Sequence, residues 1–261
     1  MPEGHKTHRF AIDHSALFCG CKVHVSSPQG RFSSDAMKVD RQVLANVVAA
    51  GKHLFYQFEN DLFVHVHLGR YGSFRLGPVP SPPARGLVRM RIVNDKATLD
   101  LNGPTQCRVI DTVDRDQVLA RLGPDPLAGG LAADVWQNVA SSKQPIGALL
   151  LDQVVIAGIG NIFRAEALFE IGMNPETRGC DLDRKSFDRL WRVLVRMLRT
   201  GVKHDQIIAV TAKEAGKPLE KLDKHQRLRI YGKTTCMRCA GPVAVVKMAA
   251  RKLYVCHHCQ A

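Results

Sequence analysis

The sequence predicts an α+β protein of several domains: an N-terminal antiparallel β-sandwich, a helical middle and a C-terminal β-hairpin with a metal site. Three observations support this. Short apolar or alternating runs separated by turn residues fill residues 22–112, helical periodicity follows from about residue 116, and four cysteines close the chain in two C-x2-C pairs. At 261 residues the chain is long enough for two domains of roughly 100–150 residues each.

The composition is that of a folded protein that does not enter membranes. Hydrophobic residues make up 45% of the chain, and no apolar run approaches the ~20 residues that a membrane helix needs. The N-terminus has the pattern of neither a signal peptide nor a transit peptide. We therefore expect a soluble intracellular protein with no membrane partner.

Positive charge is concentrated in the last third of the chain. Lys and Arg number 37 against 24 Asp and Glu, a net charge of +13. Residues 178–261 contain 19 Lys and Arg against 7 Asp and Glu, which is +12 of that total. Such a segment suits a polyanion such as nucleic acid, whose phosphates dominate affinity. A basic surface without a dedicated partner is the alternative.

The first half predicts a short helix followed by strands. Residues 3–18 form an amphipathic pattern that anchors the N-terminus, and Asn60-Asp61 and Asn94-Asp95 are typical hairpin turns. Many short strands joined by turns indicate a sandwich or a flattened barrel. The predicted strands are 22–26, 53–58, 62–67, 87–93, 97–101 and 107–111, with a surface loop at 77–83.

The second half predicts helices. We place the domain boundary in the rigid connector Leu122–Leu127, followed by helices at 133–142 and 144–151. The Gly158-x-Gly160-Asn161 turn leads into a helix that begins near Ile162, either as an ordinary capped helix or as a phosphate site. A further amphipathic helix is predicted over residues 183–200, with Gly201 ending it and its arginines solvated.

The C-terminal cysteines predict a zinc site. Cys236, Cys239, Cys256 and Cys259 have the C-x2-C-x16-C-x2-C spacing of a four-thiolate site. Their segment is small and basic, so metal binding would supply its folding energy. Two disulfides are the rival interpretation, but nothing indicates an oxidising compartment. The remaining cysteines are interpreted as buried or inert thiols: Cys19, Cys21, Cys107 and Cys180.

The first residues suggest covalent chemistry. Removal of Met1 would leave Pro2 with a free secondary amine, which can condense with a sugar aldehyde carbon to give an iminium. Glu3 can supply the proton that a leaving group needs. By itself this is a common way for a chain to begin.

Five blocks in a fixed order make the chain resemble the formamidopyrimidine-DNA glycosylase and endonuclease VIII family. The resemblance covers essentially the whole sequence. The blocks are Pro2-Glu3-Gly4, Gly51–Leu54, Arg121–Leu127, the segment from Leu151 to Phe169, and Tyr231-Gly232 before the cysteines.

The resemblance implies three domains and a set of DNA contacts. The domains are an N-terminal catalytic β-sandwich at 1–122, a helical domain with a helix–two-turns–helix at 123–228, and a zinc finger at 229–261. Arg121 and Asn161 match backbone contacts of the family. Arg251 matches the arginine at the tip of the finger hairpin that grips the phosphates flanking the lesion, and we count it with the catalytic residues.

The resemblance also implies a mechanism. Pro2 attacks C1′ of a flipped nucleotide and releases the base, Glu3 moves a proton to the opening sugar, and Lys52 assists elimination and holds phosphate. The strand is then cut by β,δ-elimination. One structural zinc is expected, with no role in the reaction.

The base preference depends on the wedge loop. The 8-oxoguanine branch of the family carries a methionine near position 70 and an Arg-x-Phe wedge near 104–108, and neither is present here. We place Arg70 and Tyr71 in the wedge and expect oxidised pyrimidines as substrates, as in the endonuclease VIII branch.

Three further interpretations stay open. An 8-oxoguanine- or formamidopyrimidine-preferring glycosylase is one, a non-catalytic member that binds damaged DNA is another, and a zinc-finger binder of other ancestry is the third. The expected partner is duplex DNA with an oxidised base or an abasic site, with single-stranded and bubble DNA open as further ligands. The protein is expected to be a monomer.

Overall fold

The computed structural model describes residues 2–261, which form two compact units. The first unit includes Pro2, Glu3 and Thr7–Arg121, and the second contains Gly4–Lys6 and Leu122–Ala261. Met1, whose removal the proposed chemistry requires, lies outside the described residues. The separation of residues 123–228 from 229–261 as two domains stays a prediction.

Within the described residues, the first unit contains two antiparallel four-stranded sheets and three helices. The strand orders are β1-β6-β7-β5 and β2-β3-β4-β8. The strands are β1 (His24–Ser26), β2 (Leu44–Ala50), β3 (His53–Phe58), β4 (Phe63–His67), β5 (Ser73–Gly77), β6 (Val88–Val93), β7 (Thr98–Asn102) and β8 (Gln106–Ile110). The helices are α1 (Gly4–Phe18), α2 (Ser33–Val39) and α3 (Thr112–Ala120).

Both sheets and α1 contribute to one apolar core. Tyr56 of β3, Val66 of β4 and Ile92 of β6 are fully buried in it, together with Phe18 at the end of α1. The alternation of buried and half-buried residues along Val88–Val93 is the period of two that a strand with one core face produces. The α+β class with antiparallel sheets is therefore confirmed.

In the first unit two strands and one helix were not predicted. A bulge between Leu44 and Asn46 interrupts β2, so its alternation is broken in the sequence as well. The strand β5 is an edge strand and is mostly exposed, which removes the apolar signal. The short α2 has only Ala36 and Val39 buried, too few for a helical period to be visible.

The second unit is mainly helical and ends in a hairpin. Its apolar core joins Phe163, Leu168, Leu190 and Leu194. Its elements are α4 (Ala132–Ala140), α5 (Ile146–Leu149), α6 (Asn161–Ile171), α7 (Arg184–His204), α8 (Ala212–Ala215), β9 (Ala244–Met248) and β10 (Arg251–Val255), with 3-10 turns at Gly179–Asp181 and Leu219–Lys221.

The helix α7 continues past Gly201, where we predicted its end. Gly201 is buried inside the helix, and a Cβ atom there would lie 2.9 Å from Cβ of His5. The glycine therefore serves close packing, and the helix ends at Asp205 instead, which has a left-handed φ of 55°. Among the described residues, no helix has the length and apolarity to cross a bilayer.

Candidate catalytic and nucleic-acid site

The first turn of α1 holds the N-terminal residues in place. Glu3 precedes the helix in an extended conformation and is only 1% exposed, while Pro2 before it is half-buried. The N–H of Gly4 donates to the carbonyl of Gly158 over 2.8 Å. A Cβ on Gly4 would lie 2.8 Å from Cα of Gly158, so only glycine permits this approach.

His5 and Lys6 add further contacts in the same turn. His5 is 4% exposed and sets its ring edge-on to Phe163, with a centroid distance of 5.1 Å. Burial, with the nearby charge of Lys6, lowers the pKa of His5 to about 3. Lys6 is paired with Asp205 at 2.6 Å. These contacts fix the helix start that follows the predicted nucleophile.

Lys52 lies in the tight turn between β2 and β3 and is half-buried. Gly51 before it has a φ of 56°, which the turn requires. Burial is the main cause that lowers the pKa of His53 to about 4, and the charges of His67 and Lys52 add to it. The pKa of His67 is lowered by burial and then by Lys52. Lys52 therefore stands beside neutral imidazoles.

Three histidines form a cluster on one sheet that the sequence did not reveal. Nδ1 of His53 lies 2.8 Å from Nε2 of His65, and the ring of His67 lies 4.9 Å from that of His53. Burial lowers the pKa of His65 to about 3. The register His53↔His67 and Phe55↔His65 puts all three on the same face. The His-x-Phe and His-x-His alternation was the available signal, but it matches no motif.

The predicted wedge residues lie at the tip of the loop after β4. Arg70 and Tyr71 are exposed, Tyr71 by 77%, and the guanidinium of Arg70 lies 5.3 Å from the Tyr71 ring centroid. Gly69 has a φ of 62° and lies against Thr105, while Gly72 closes the turn by donating to the carbonyl of Leu68 over 2.9 Å. The tip therefore presents a cation and an aromatic ring to solvent on a rigid turn.

Arg121 is the last residue of the first unit. It is exposed and caps the end of α3. Among residues 2–261 no side-chain contact of Arg121 defines a role for it.

Asn161 is the first residue of α6 and not its N-cap, which is Gly160. The helix thus begins one residue earlier than predicted. The Nδ2 atom of Asn161 donates to the carbonyl of Lys252 over 2.8 Å, and Oδ1 accepts from Arg164 over 2.5 Å. Asn161 is therefore joined directly to the hairpin strand that carries the predicted Arg251.

Two buried charged side chains of α6 bind backbone groups of other segments of the second unit, and neither was predicted. Arg164 donates to the carbonyls of Gly147 and Met248 over 3.0 and 3.4 Å. The carboxylate of Glu166 accepts from the backbone N–H groups of Arg229, Ile230 and Tyr231 over 2.8 to 3.0 Å. Burial raises the pKa of Glu166, and the three N–H donors oppose that rise. The sequence shows these residues only as interruptions of an apolar helix.

Arg251 is exposed and stands at the start of β10, just after a two-residue turn. The register pairs Arg251 with Met248, so Ala249 and Ala250 form the turn. Both alanines have positive φ, 49° and 57°, the conformation of a type I′ turn. The tip holds Arg251 at a defined distance from the helix end that bears Asn161.

The four predicted cysteine ligands come together at the base of this hairpin. Their sulfur atoms all lie within 4.8 Å of one another, with 3.5 Å between Cys239 and Cys256 and 3.9 Å between Cys236 and Cys259. Zinc–sulfur bonds of about 2.3 Å in a tetrahedron place sulfurs about 3.8 Å apart. The cluster therefore fits one metal ion, and all four cysteines are free thiols.

Two family models match the chain. The N-terminal domain of formamidopyrimidine-DNA glycosylase matches residues 1–112, and the H2TH domain of the same enzyme matches residues 122–213. The fold is similar to a crystal structure of the Lactococcus lactis enzyme in complex with DNA that contains an N7-benzyl-Fapy-dG, with a TM-score of 0.82, 20% identity and 99% coverage of both chains.

Two curated relatives agree with the family models. The protein named endonuclease 8 1 of Mycobacterium tuberculosis is 39% identical over 267 residues, with 100% of each chain covered. The formamidopyrimidine-DNA glycosylase of Psychromonas ingrahamii is 29% identical over 228 residues, covering 84% of this chain and 83% of its own. With both domain models matched in order and the endonuclease 8 relative the more similar of the two, this chain belongs to the formamidopyrimidine-DNA glycosylase and endonuclease VIII family.

Proposed function

We propose that the chain removes oxidised bases, chiefly pyrimidines, from DNA through a Schiff base on the amine of Pro2 and cuts the strand by β,δ-elimination. Its family makes it a bifunctional DNA glycosylase and AP lyase of base excision repair. Beyond that activity, we propose the nucleophile, the preferred base and the course of the elimination.

The observation that carries the proposal is the fixed N-terminal turn. Pro2 directly precedes a buried carboxylate, Glu3, and the next residue is held against Gly158 with no room for a side chain. A nucleophile must be positioned within a few tenths of an ångström of its target. An N-terminus held in one conformation therefore suits covalent catalysis, and a disordered one does not. Glu3 supplies the proton for the departing base or the opening sugar.

The remaining residues fit roles on the DNA backbone. The ammonium group of Lys52, in the turn between β2 and β3, would bind a phosphate during elimination. Asn161 and Arg251, joined through the hairpin, bind phosphates flanking the lesion, and Arg121 adds a backbone contact. Arg70 and Tyr71 fill the space left by the flipped nucleotide, since arginine stacks on aromatic faces and tyrosine is a large flat ring.

The cysteine cluster holds a structural zinc ion in this proposal. Four thiolates at tetrahedral spacing are the donor set that structural zinc prefers. The ion would stabilise the hairpin that presents Arg251. The proposed partner is duplex DNA with an oxidised base or an abasic site, bound by a monomer in the bacterial cytoplasm, with bubble and single-stranded DNA as further ligands.

Borohydride trapping on an abasic-site duplex tests the nucleophile. The wild-type chain is expected to form a covalent adduct, and a chain with an N-terminal extension that blocks the amine is expected to form none until the extension is removed. Pro2→Ala is expected to lose most of the adduct, while the exposed-loop control Pro83→Ala keeps it. Equal trapping by blocked and unblocked chains would reject the proposal.

A substrate panel tests the base preference. Duplexes with thymine glycol, dihydrouracil, 5-hydroxyuracil and 8-oxoguanine are compared by single-turnover excision. Faster excision of the three pyrimidines is expected. Faster excision of 8-oxoguanine would favour the formamidopyrimidine branch, and binding without excision of any base would favour a non-catalytic member.

A further inference from the structure

The solvent face of α7 carries an uninterrupted row of basic residues that the proposed chemistry does not use. The six residues are separated by four, three, four, three and four positions. They are Lys185, Arg189, Arg192, Arg196, Arg199 and Lys203. At 100° per residue these positions fall within about 80° of the helix circumference and extend over about 27 Å. We call this set the α7 basic row.

The row is opposite the buried face of the helix. Leu190, Leu194 and Gly201 are buried against the core, whereas Lys185, Arg192 and other members of the row are exposed. Nδ1 of His204, next to Lys203 in the chain, lies 3.5 Å from a carboxylate oxygen of Glu220. Glu170 is paired with Arg196 at 2.5 Å, and Asp188, beside the row, is paired with Arg184 at 2.8 Å. The row therefore keeps a large positive excess.

An ordinary solvated helix face does not have this pattern. Exposed helices mix charges of both signs, and like charges three or four positions apart destabilise a helix. Here every neighbouring pair in the row is of like charge. A bound polyanion would relieve this repulsion along the whole length of the helix.

The composition of the row selects DNA as the occupant over an acidic protein. Four of its six members are arginines, whose planar guanidinium groups bind phosphates in a bidentate manner. Among the described residues of α7, no large apolar side chain is exposed, so the apolar anchors that centre a protein interface are missing. Three guanidinium groups, those of Arg192, Arg196 and Arg199, border a shallow hollow of about 470 Å³ beside Trp191.

The row is separate from the phosphate contacts proposed for the lesion. Asn161 is the first residue of α6, while Arg189 donates to the carbonyl of Ile171, its last residue, and Arg196 contacts Glu170 in its last turn. The two ends of α6 are about 15 Å apart. Towards its other end α7 packs Gly201 against His5, but Gly201 is on the buried side of the helix, so the row faces away from the catalytic turn.

We propose that the α7 basic row is a second, sequence-independent DNA-binding surface, which holds a duplex segment other than the one that contains the lesion. It rests on DNA being the substrate but on none of the residues of the proposed reaction. Such a surface lets the enzyme remain on undamaged DNA or bridge two segments while the lesion site is occupied.

The test measures a second duplex on a protein whose lesion site is already filled. The chain is saturated with a duplex that carries a stable abasic-site analogue, and a labelled undamaged duplex is then titrated while anisotropy is followed. The wild-type complex is expected to bind the second duplex with strong salt dependence. The double variant R192E/R199E is expected to bind at least about 10-fold more weakly, with a salt slope smaller by about 2.

Charge-matched controls separate a local site from total charge. R31E/R85E changes exposed arginines of the first unit and alters the net charge equally, so it is expected to keep second-duplex binding. If the melting temperature of R192E/R199E is below that of the wild type, the neutral variant R192Q/R199Q replaces it in the binding measurement. Abasic-site cleavage is measured in parallel, because it reports the proposed function alone and is expected to be unchanged in R192E/R199E.

The proposal is overturned by any of three results. In the first, the saturated wild-type protein binds no second duplex. In the second, R31E/R85E loses second-duplex binding as much as R192E/R199E does. In the third, labelled poly-glutamate binds the row in preference to DNA. The last result would make the row a surface for an acidic protein. A failure to trap Pro2 would leave these binding measurements intact.

Discussion

At the scale of single residues, the role of Glu3 in base release can be separated experimentally from a role in strand cleavage. It is 1% exposed and directly follows Pro2, the proposed nucleophile. We predict that Glu3→Gln slows release of an oxidised base by at least about 100-fold, the usual size of a general-acid contribution. Cleavage of a preformed abasic site is expected to fall much less, because no base has to leave.

Single-turnover kinetics on the two substrates, at matched enzyme concentration, measures this difference. Asp61→Asn, in an exposed turn, is the control. Equal losses on both substrates would assign Glu3 to sugar opening or to folding and not to base release.

The buried histidines predict an acid-sensitive stability. His5 and His65 have a pKa of about 3 in the folded chain against an ordinary value of 6.5, because burial disfavours the charged ring. Above pH 6.5 each histidine ring is neutral in both the folded and the unfolded chain, so its contribution to the unfolding free energy is fully present. Between pH 6.5 and 3 only the unfolded state takes up the proton, so each histidine lowers the unfolding free energy by up to about 1.4 kcal/mol per pH unit.

Urea unfolding at several pH values between 7 and about 4 checks this prediction. His65→Gln is expected to flatten the acid limb, and His225→Gln, at an exposed position, is expected to leave it as in the wild type. An unchanged slope in His65→Gln would mean that the pKa of His65 is the same in the folded and the unfolded chain.

At the scale of elements, the finger hairpin has an unfavourable turn. Ala249 and Ala250 adopt the left-handed conformation, which costs about 1–2 kcal/mol per residue for a side chain with a Cβ. Ala250→Gly is therefore predicted to stabilise the zinc-loaded protein by about 1 kcal/mol. Ala244→Gly in β9, where no positive φ exists, is predicted to destabilise it by about 0.5–1 kcal/mol.

Thermal melts of the two variants in the presence of zinc compare the turn with the strand. A melting temperature that falls in Ala250→Gly as far as in Ala244→Gly would mean that the turn is not strained. Phosphate binding through Arg251 can be followed in the same variants.

An element could be predicted from the sequence only where its residues form a clear local pattern. The strands His53–Phe58 and Phe63–His67 were recovered because their apolar runs end at clear turns, whereas the bulge in β2 and the exposure of β5 removed that signal. The end of α7 was misplaced because a glycine that serves close packing against His5 resembles a glycine that stops a helix.

Some residues of the site could be predicted from the sequence and others could not. The cysteine spacing predicted a cluster, and the four sulfur atoms do lie within 4.8 Å of one another. A C-x2-C turn by itself fixes only the two sulfurs of one pair. The cluster of His53, His65 and His67 depends on strand register, and Arg164 and Glu166 depend on which carbonyl and N–H groups fold over α6. No spacing rule in the sequence encodes those partners.

At the scale of the whole molecule, the proposed zinc ion is predicted to couple folding of the hairpin to DNA binding. Zinc removal is predicted to unfold residues 229–261 locally, because the four thiolates join the two ends of the hairpin and its apolar residues form only a small cluster around Met248, Leu253 and Val255. Chelation should reduce binding of abasic-site duplex by more than about 10-fold and zinc should restore it. Heteronuclear NMR of α1 signals is the control, and their loss would mean global unfolding.

The central claim, that the enzyme reacts through the amine of Pro2, is tested most directly by mapping the trapped product. Borohydride-reduced adduct on an abasic-site duplex is digested with protease and nuclease, and peptide mass spectrometry locates the sugar remnant. The account predicts that the remnant is on the N-terminal peptide, on the nitrogen of Pro2, in a chain that lacks Met1. A remnant on a lysine such as Lys52, or full trapping by a chain that retains Met1, would contradict it.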